Sequence, residues 1–338
     1  MFKKNKAQKS AADIQGRPGW VTAAAWVGGF VLLFLTVLGW YWSRTPDVFW
    51  VNRKAEGDAT VIGYSTTDTL VRVAETLLDK PGGYLTNDKM LPGVFLDNIP
   101  NWEFGVLQQV RDLARVIRND YSRSQSQSKE DPDVSVAEPL FFFDNNSWVI
   151  PRTEGEYREA IEGFVSYRDR LAGVNEPEAQ FYARADNLRE WLAQVEKRLG
   201  SLTRRLGDSV ATTVINTDLA GDPAAEANTS LGDRVDVRTS WFEIDDIFYE
   251  SRGTSWALIH FFRAAEFDFA QVLADKNAEA SVRQIIRELE ASLHSLKSPI
   301  VLNGGGFGLF ANHSLVMANY LARANAAVIN LRELLDQG

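Results

Sequence analysis

The chain has 338 residues, 45% of them hydrophobic, enough apolar material to bury a core over two or three domains of ordinary size, which excludes disorder throughout. Its formal charge of −9, from 36 basic and 45 acidic residues, argues against a general nucleic-acid binder, and no local basic patch offsets it. With no Cys and three His, the chain lacks disulfides, a thiol nucleophile, iron–sulfur ligands and the side chains for a Cys- or His-rich metal site, so no metal or cofactor is expected.

Residues 1–19 form a basic tail, with Lys3, Lys4, Lys6, Lys9 and Arg17 against one acid, Asp13. Residues 20–42, WVTAAAWVGGFVLLFLTVLGWYW, contain neither charge nor Pro. At about 1.5 Å per residue the run is ~34 Å long against roughly 30 Å of hydrocarbon, so it is read as a transmembrane helix. Trp20, Trp40, Tyr41 and Trp42 mark its two ends with rings that favour the headgroup layer. A cleaved signal peptide would have a shorter apolar core followed by small residues, whereas Ala23, Ala24 and Ala25 lie inside this run and an aromatic cluster follows it. After the run, Arg44, Arg53 and Lys54 alternate with Asp47, Glu56 and Asp58. The heavier basic bias before the span predicts a cytoplasmic N-terminus, with the bulk of the chain outside, which is the periplasm of a bacterium with an outer membrane.

Residues 43–121 read as a membrane-proximal helical region. Its aromatic stretch Val48, Phe49, Trp50 and Val51 suits either the membrane surface or a strand leading into the domain. Leu70, Val73, Leu77 and Leu78 predict a helix over 65–80, stopped by Pro81, Gly82 and Gly83. Asn101 is the expected cap of a second helix, to about Tyr121, with Val106, Val110, Leu113 and Ile117 facing inward. Residues 122–139, SRSQSQSKEDPDVSVAEP, are polar, Ser-rich and punctuated by Pro, and are expected to form a mobile loop.

Residues 140–210 read as a hairpin followed by long helices. Apolar residues 140–143 and 148–150 flank Asp144, Asn145, Asn146 and Ser147, the pattern of a short hairpin with an Asn-rich turn. Thr153 and Glu156 have capping-box spacing. Phe181, Ala185, Leu188, Leu192, Val195, Leu199, Leu202 and Leu206 then recur at alternating intervals of four and three, the period of a coiled-coil seam, in a helix expected to begin at Asn175 with Pro177 in its first turn. Such a stripe needs a partner: another helix of this chain, the favoured reading, or a second copy. Residues 211–239 form a polar connection. The C-terminal helical block, 240–338, opens at the capping-box pair Ser240 and Glu243. It continues with a very apolar helix over 254–276, a stripe through Val282, Ile286, Leu289, Leu293 and Leu296, a glycine-rich break, and a helix capped by Asn312 that runs to about Asp336.

Three groups are candidates for chemistry. His260, Arg263 and Glu266 are spaced by three on the most apolar helix. They form either a satisfied structural set, which is favoured, or a site with Glu266 as acid or base and Arg263 as anion clamp. Glu243, Asp246 and Glu250 share a helix face, either as a solvated row or as an acid/base pair acting on a glycan. Gly304, Gly305 and Gly306 precede a helix, where backbone N–H groups can hold an anion, although the Lys of a phosphate-binding loop is missing and a plain interhelical turn is the simpler reading.

The segments PGGYLTNDKMLPG (81–93), NWEFGVLQQVRDL (101–113), DNNSWVIPRTEGEYR (144–158) and GTSWALIHFFRAAEFDF (253–269), set behind a basic tail and one span, resemble an uncharacterised proteobacterial family of single-span inner-membrane proteins over nearly the whole chain. The resemblance implies a Gram-negative inner-membrane location and supplies no activity, ligand or catalytic residue. The fold expected is mainly α: a single transmembrane helix, then an extracytoplasmic multi-helix bundle with long coiled-coil-like helices and one short β-hairpin. The function expected is that of a membrane-anchored periplasmic interaction or scaffold protein. The alternatives are a periplasmic enzyme on envelope glycan or lipid, and a ligand-sensing domain that signals through a partner. Partners expected are the lipid bilayer, an envelope protein and a second copy of the chain, with no nucleic acid.

Overall fold

The long apolar stripes of the sequence form the bodies of helices, short of Phe181, Leu293 and Leu296, in the computed structural model, which describes residues 19–51, 55–56, 59–123, 129–174, 179–210, 212–215, 234–298, 300–305 and 309–337. The basic tail therefore lies outside the described residues, apart from Gly19. The uncharged run forms α1, Gly19–Trp42, whose most apolar stretch is wholly unburied. A minimal antiparallel ribbon, β1 (Ala55–Glu56) with β2 (Ala59–Thr60), precedes α2, Tyr64–Asp79. The helix α3, Asn98–Val116, starts one turn earlier than expected, because Asp97 accepts the N–H of Asn98 at 2.9 Å and takes the capping position assigned to Asn101. It ends in a wide turn, Ile117–Tyr121, closed by Ser122 N–H donating to the Ile117 carbonyl.

Two readings of the middle region are corrected. Residues 132–139, expected within a loop, form most of α4 (Pro132–Leu140): Asp131 accepts from the N–H groups of Asp133 and Val134, and Pro132 occupies the first turn, where its missing N–H costs nothing. Leu140 is the last residue of this helix, and residues 141–152 are turns, so the hairpin expected at 140–150 is absent from the described residues. Thr153 does open α5, Thr153–Leu171, but not as a cap. Its hydroxyl reaches back to the carbonyls of Asp144 and Ser147 and pins that turn to the helix.

The heptad helix is α6, Ala185–Gly207. Leu188, Leu192, Val195, Leu199, Leu202 and Leu206 are buried as expected, while residues 179–184 are non-helical, so Phe181 belongs to a different contact. Asn175 and Pro177 lie outside the described residues. The seam is covered by helices of the same chain, chiefly the last. Two strands, β3 (Thr212–Ile215) and β4 (Arg234–Val237), pair antiparallel at the two ends of the stretch expected to be a simple connection. The two helices expected after it are one, α7 (Ile244–Asp268), which follows a short 3₁₀ turn, Trp241–Glu243, and stops before the short α8, Ala270–Asp275. The chain then forms α9 (Glu279–Ser292) and α10 (His313–Asp336); Asn312 caps α10 by accepting the Leu315 N–H at 2.8 Å.

The central pair is α3 and α7, which run parallel. Asn101 meets Asp246, Thr254 meets Gly105, and Tyr121 meets Phe269. They approach as closely as backbones can, because each presents a glycine to the other. A β-carbon on Gly105 would sit 2.1 Å from the Glu250 carbonyl oxygen, and one on Gly253 would sit 2.0 Å from that of Trp102. The helices α2, α6 and α9 run antiparallel to this pair, through Asp268–Thr66, Asn187–Asp120 and Arg263–Glu290. Outside them, α5 lies against α2 and α10 against α6 and α9. The bundle thus has two ends. The proximal end, from which α1 leaves, gathers the starts of α3, α5, α7 and α10, and the distal end gathers the start of α2 and the ends of α5 and α7.

Candidate functional site

The helical spacing of His260, Arg263 and Glu266 put them on successive turns of α7, and the structure gives each a separate task. His260 is fully buried. Its Nδ1–H donates to the Trp256 carbonyl at 2.6 Å, and its Nε2 accepts the Phe49 backbone N–H at 3.0 Å. Both partners have fixed roles, so the imidazole is the neutral Nδ1–H tautomer. Phe49 stacks on the ring at 3.8 Å, and burial pushes the His260 pKa down to about 3. Arg263 does not pair with Glu266. It reaches Glu290 on α9 at 2.5 Å and donates to the Phe49 carbonyl at 3.4 Å. Glu266 lines an open cleft between α7 and α9 with Arg283 and Arg287, and its pKa is raised by burial against the opposing pull of Arg283 and Arg263.

His260 and Arg263 therefore belong to a clamp on the segment that follows α1. Trp256 Nε1–H donates to the Asp47 carbonyl at 3.3 Å, His260 takes the Phe49 N–H, Arg263 holds the Phe49 carbonyl, and Arg72 of α2 donates to the Trp50 carbonyl at 2.8 Å while lying over the Phe49 ring. Residues 48–51 are not a strand; Phe49 packs on the core as the chain enters the domain, and Trp50 is exposed.

The acidic row lines a second open cleft, between the starts of α3 and α7 and the end of α6. Asp246 accepts from Asn101 at 2.6 Å, and burial, reinforced by Asp245, Asp97, Glu243 and Glu250, pushes its pKa up to about 6. Glu250 is paired with Arg205 at 2.8 Å, and Glu243 is exposed. At the glycine-rich break the Gly304 N–H donates to the Ala311 carbonyl, and Asn312 both donates to the Gly304 carbonyl and caps α10, so the turn closes on itself. Gly305 is exposed, and Gly306 lies outside the described residues.

Among the buried polar groups that no sequence pattern singles out, Glu103 and Asp268 fix chain segments in place. Glu103, with no exposed side-chain surface, forms an ion pair with the equally buried Lys80 and accepts from the N–H groups of Leu85 and Thr86 at 2.8 Å each. Lys80 also donates to the Gly83 carbonyl, so the pair folds residues 80–86. Asp268, at the end of α7, accepts the Thr66 N–H at 2.6 Å and caps α2, whose own preceding residue, Gly63, offers no side chain. Burial raises the Asp268 pKa to about 6 against the pull of these N–H groups. Glu103 left a trace in the sequence: it stands three residues before Val106 on the inward stripe of α3, where an unpaired charge would be costly. Among the described residues, no group of His, Asp and Glu is arranged to hold a metal ion.

The proximal end joins the segments that are most distinctive in the sequence. Asn87 donates to the Ser147 carbonyl at 2.8 Å and to Glu154 at 2.9 Å, Tyr84 donates to the Asn145 carbonyl, and Trp102 packs on Trp256. The profile of a family described as an uncharacterized protein conserved in bacteria, DUF2333, matches residues 16–338. The chain belongs to that family. The DUF2333 match runs from α1 through α10 and so takes in the clamp, both clefts and the Lys80–Glu103 pair. Comparison with curated proteins and with solved structures finds no match.

Proposed function

We propose that this chain is a single-span inner-membrane protein, N-terminus in the cytoplasm, whose helical bundle stands in the periplasm as a scaffold for other envelope proteins. The observation that carries the reading is the coupling of α1 to the bundle. An unburied apolar helix of 23 residues passes directly into a segment held by Trp256, His260, Arg263 and Arg72. The last turn of α1 also has partners: Pro92 and Leu96 lie against Gly39, and the Trp42 ring lies against Gly82. A signal sequence destined for removal has no need of such partners, so the contact supports a retained anchor. The basic residues before the span support the cytoplasmic N-terminus.

Two measurements test this reading. The full chain should remain with the membrane pellet after alkaline carbonate extraction, and a phosphatase fused after Gly338 should be active. A chain released by carbonate overturns the anchor; a stable but inactive fusion overturns the orientation.

A second reading, an enzyme on envelope glycan or lipid, is favoured by the acidic cleft alone. There Asp246, with its pKa pushed up to about 6, stands beside Glu250, which Arg205 pairs. Two carboxyl groups in one cleft, one of them holding its proton to higher pH than usual, are the kind of pair acid/base hydrolysis uses. In cells lacking the native gene, an Asp246→Asn, Glu250→Gln double variant that restores the wild-type envelope phenotype excludes this reading, whereas loss of rescue by a folded variant supports it.

A further inference from the structure

The exposed apolar side chains of the bundle are unevenly distributed. At the proximal end they project from four separate loops: Phe95 (79% exposed) before α3, Trp148 and Ile150 (95%) before α5, Phe242 (85%) before α7, and Leu309 and Phe310 (73%) before α10. Away from that end the described loops carry Ile62 and Val174, and Trp50 lies singly beside Arg263 and Arg72. Single exposed apolar residues are ordinary, but large rings and aliphatic chains on four loops at one end are not.

These loops are fixed in relation to α1. Residues 81–96 touch its last turn at Gly39 and Trp42. The turn bearing Trp148 and Ile150 is bound to that loop through Asn87–Ser147 and Lys89–Asn146. Phe242 precedes the start of α7, where Asn101 meets Asp246, and the loop bearing Leu309 and Phe310 closes onto the start of α10, where His313 packs near Phe248. All four therefore lie at the end of the bundle from which the apolar helix leaves. Trp and Phe in this position match the preference of aromatic rings for the boundary between headgroups and acyl chains.

We propose that this rim seats in the outer leaflet of the same bilayer that α1 enters, so that the bundle rests on the membrane by its proximal end instead of swinging free on a tether. The proposal rests on the anchored reading above, and its occupant is lipid, not protein. The charge on the rim is mixed, with Lys89 near Asp88 and Asp97, so insertion is driven by the apolar side chains and requires no anionic headgroup.

The absence of Cys allows a direct test, because each variant then carries a single thiol. Full-length Phe95→Cys, Ile150→Cys, Phe310→Cys, Leu33→Cys and Val174→Cys chains are labelled with a polarity-sensitive fluorophore and reconstituted into phosphatidylethanolamine/phosphatidylglycerol vesicles, with and without brominated acyl chains. All of these sites except Leu33 lie on exposed loops, and helical content checks that each variant is folded. The expected result is blue-shifted emission quenched by brominated lipid at Leu33, Phe95, Ile150 and Phe310, and aqueous, unquenched emission at Val174. Quenching at Leu33 with aqueous emission at all three rim positions overturns the seating and leaves the anchor intact. Rim emission that is blue-shifted but untouched by brominated lipid also overturns it, in favour of a second copy or another protein. An unquenched Leu33 label overturns the anchored reading and the seating with it.

Discussion

A buried histidine with both ring nitrogens occupied is a pH-dependent lock. Above pH 6.5 the folded and unfolded chains both hold His260 neutral; below it the unfolded imidazole takes a proton that the folded site, with its pKa pushed down to about 3, refuses. The stability carried by this residue is therefore fully present above about pH 6.5 and declines as pH falls toward 3. In His260→Leu the Phe49 N–H loses its acceptor and the site no longer titrates. Urea unfolding at pH 7.5 should show a loss of about 1–3 kcal/mol, the cost of an orphaned buried donor. The gap from wild type should narrow at pH 5, and a gap that does not change with pH would mean that His260 does not carry this proton linkage. Glu103→Gln leaves a buried ammonium without its counter-charge and should cost about 3–5 kcal/mol, read from the urea midpoint. Helical spacing alone made His260 and Arg263 stand out, but their partners Phe49 and Glu290 lie 211 and 27 residues away, and no local pattern connects them.

At the scale of elements, periodicity was a dependable guide to which faces are buried and a poor guide to what covers them. The α6 stripe has the spacing of a coiled coil, yet α10 fills most of its seam at the shallow crossing that such a stripe equally permits. The hairpin expected at 140–150 failed because a four-residue apolar run reads alike as a strand or a helix end. The capping pair Asp131–Pro132 two turns upstream decided the matter, and the Ser-rich composition around it masked that signal. The division of α7 failed for a different reason. The apolar helix expected from Thr254 is continuous with the one before it, and Gly253 at the join is the point where α3 needs room. That contact gives a sharp prediction. Gly253→Ala and Gly105→Ala each drive a methyl group into a backbone carbonyl that cannot retreat, and each should lower stability by about 3 kcal/mol or more. Gly29→Ala, with nothing within 4 Å of its new β-carbon, should leave the bundle unchanged in the same thermal scan.

For the whole molecule, the question is how rigidly α1 and the bundle are coupled. If the rim seats in lipid, the span, the clamp and the rim together fix the height and tilt of the bundle, leaving its long outer helix faces to meet partners. The clamp can be loosened at Arg72 and Arg263, the second at the cost of its partly exposed ion pair with Glu290 on α9. Arg44 lies just before it, so trypsin cleavage there reports how often residues 44–51 lift off α7 and α2. When opening and closing are fast compared with cutting, the rate follows the open population. Arg72→Gln with Arg263→Gln removes two charged donors to the Trp50 and Phe49 carbonyls, each worth roughly 1.5–3 kcal/mol where shielded and less at the exposed Arg72. Release of the bundle from membranes by cleavage after Arg44, identified by mass, should therefore accelerate about tenfold or more, while the unfolding midpoint of the bundle shifts little. Equal release from the variant and the wild type would mean that the junction is held by the contacts that remain, Trp256 to the Asp47 carbonyl and His260 to Phe49.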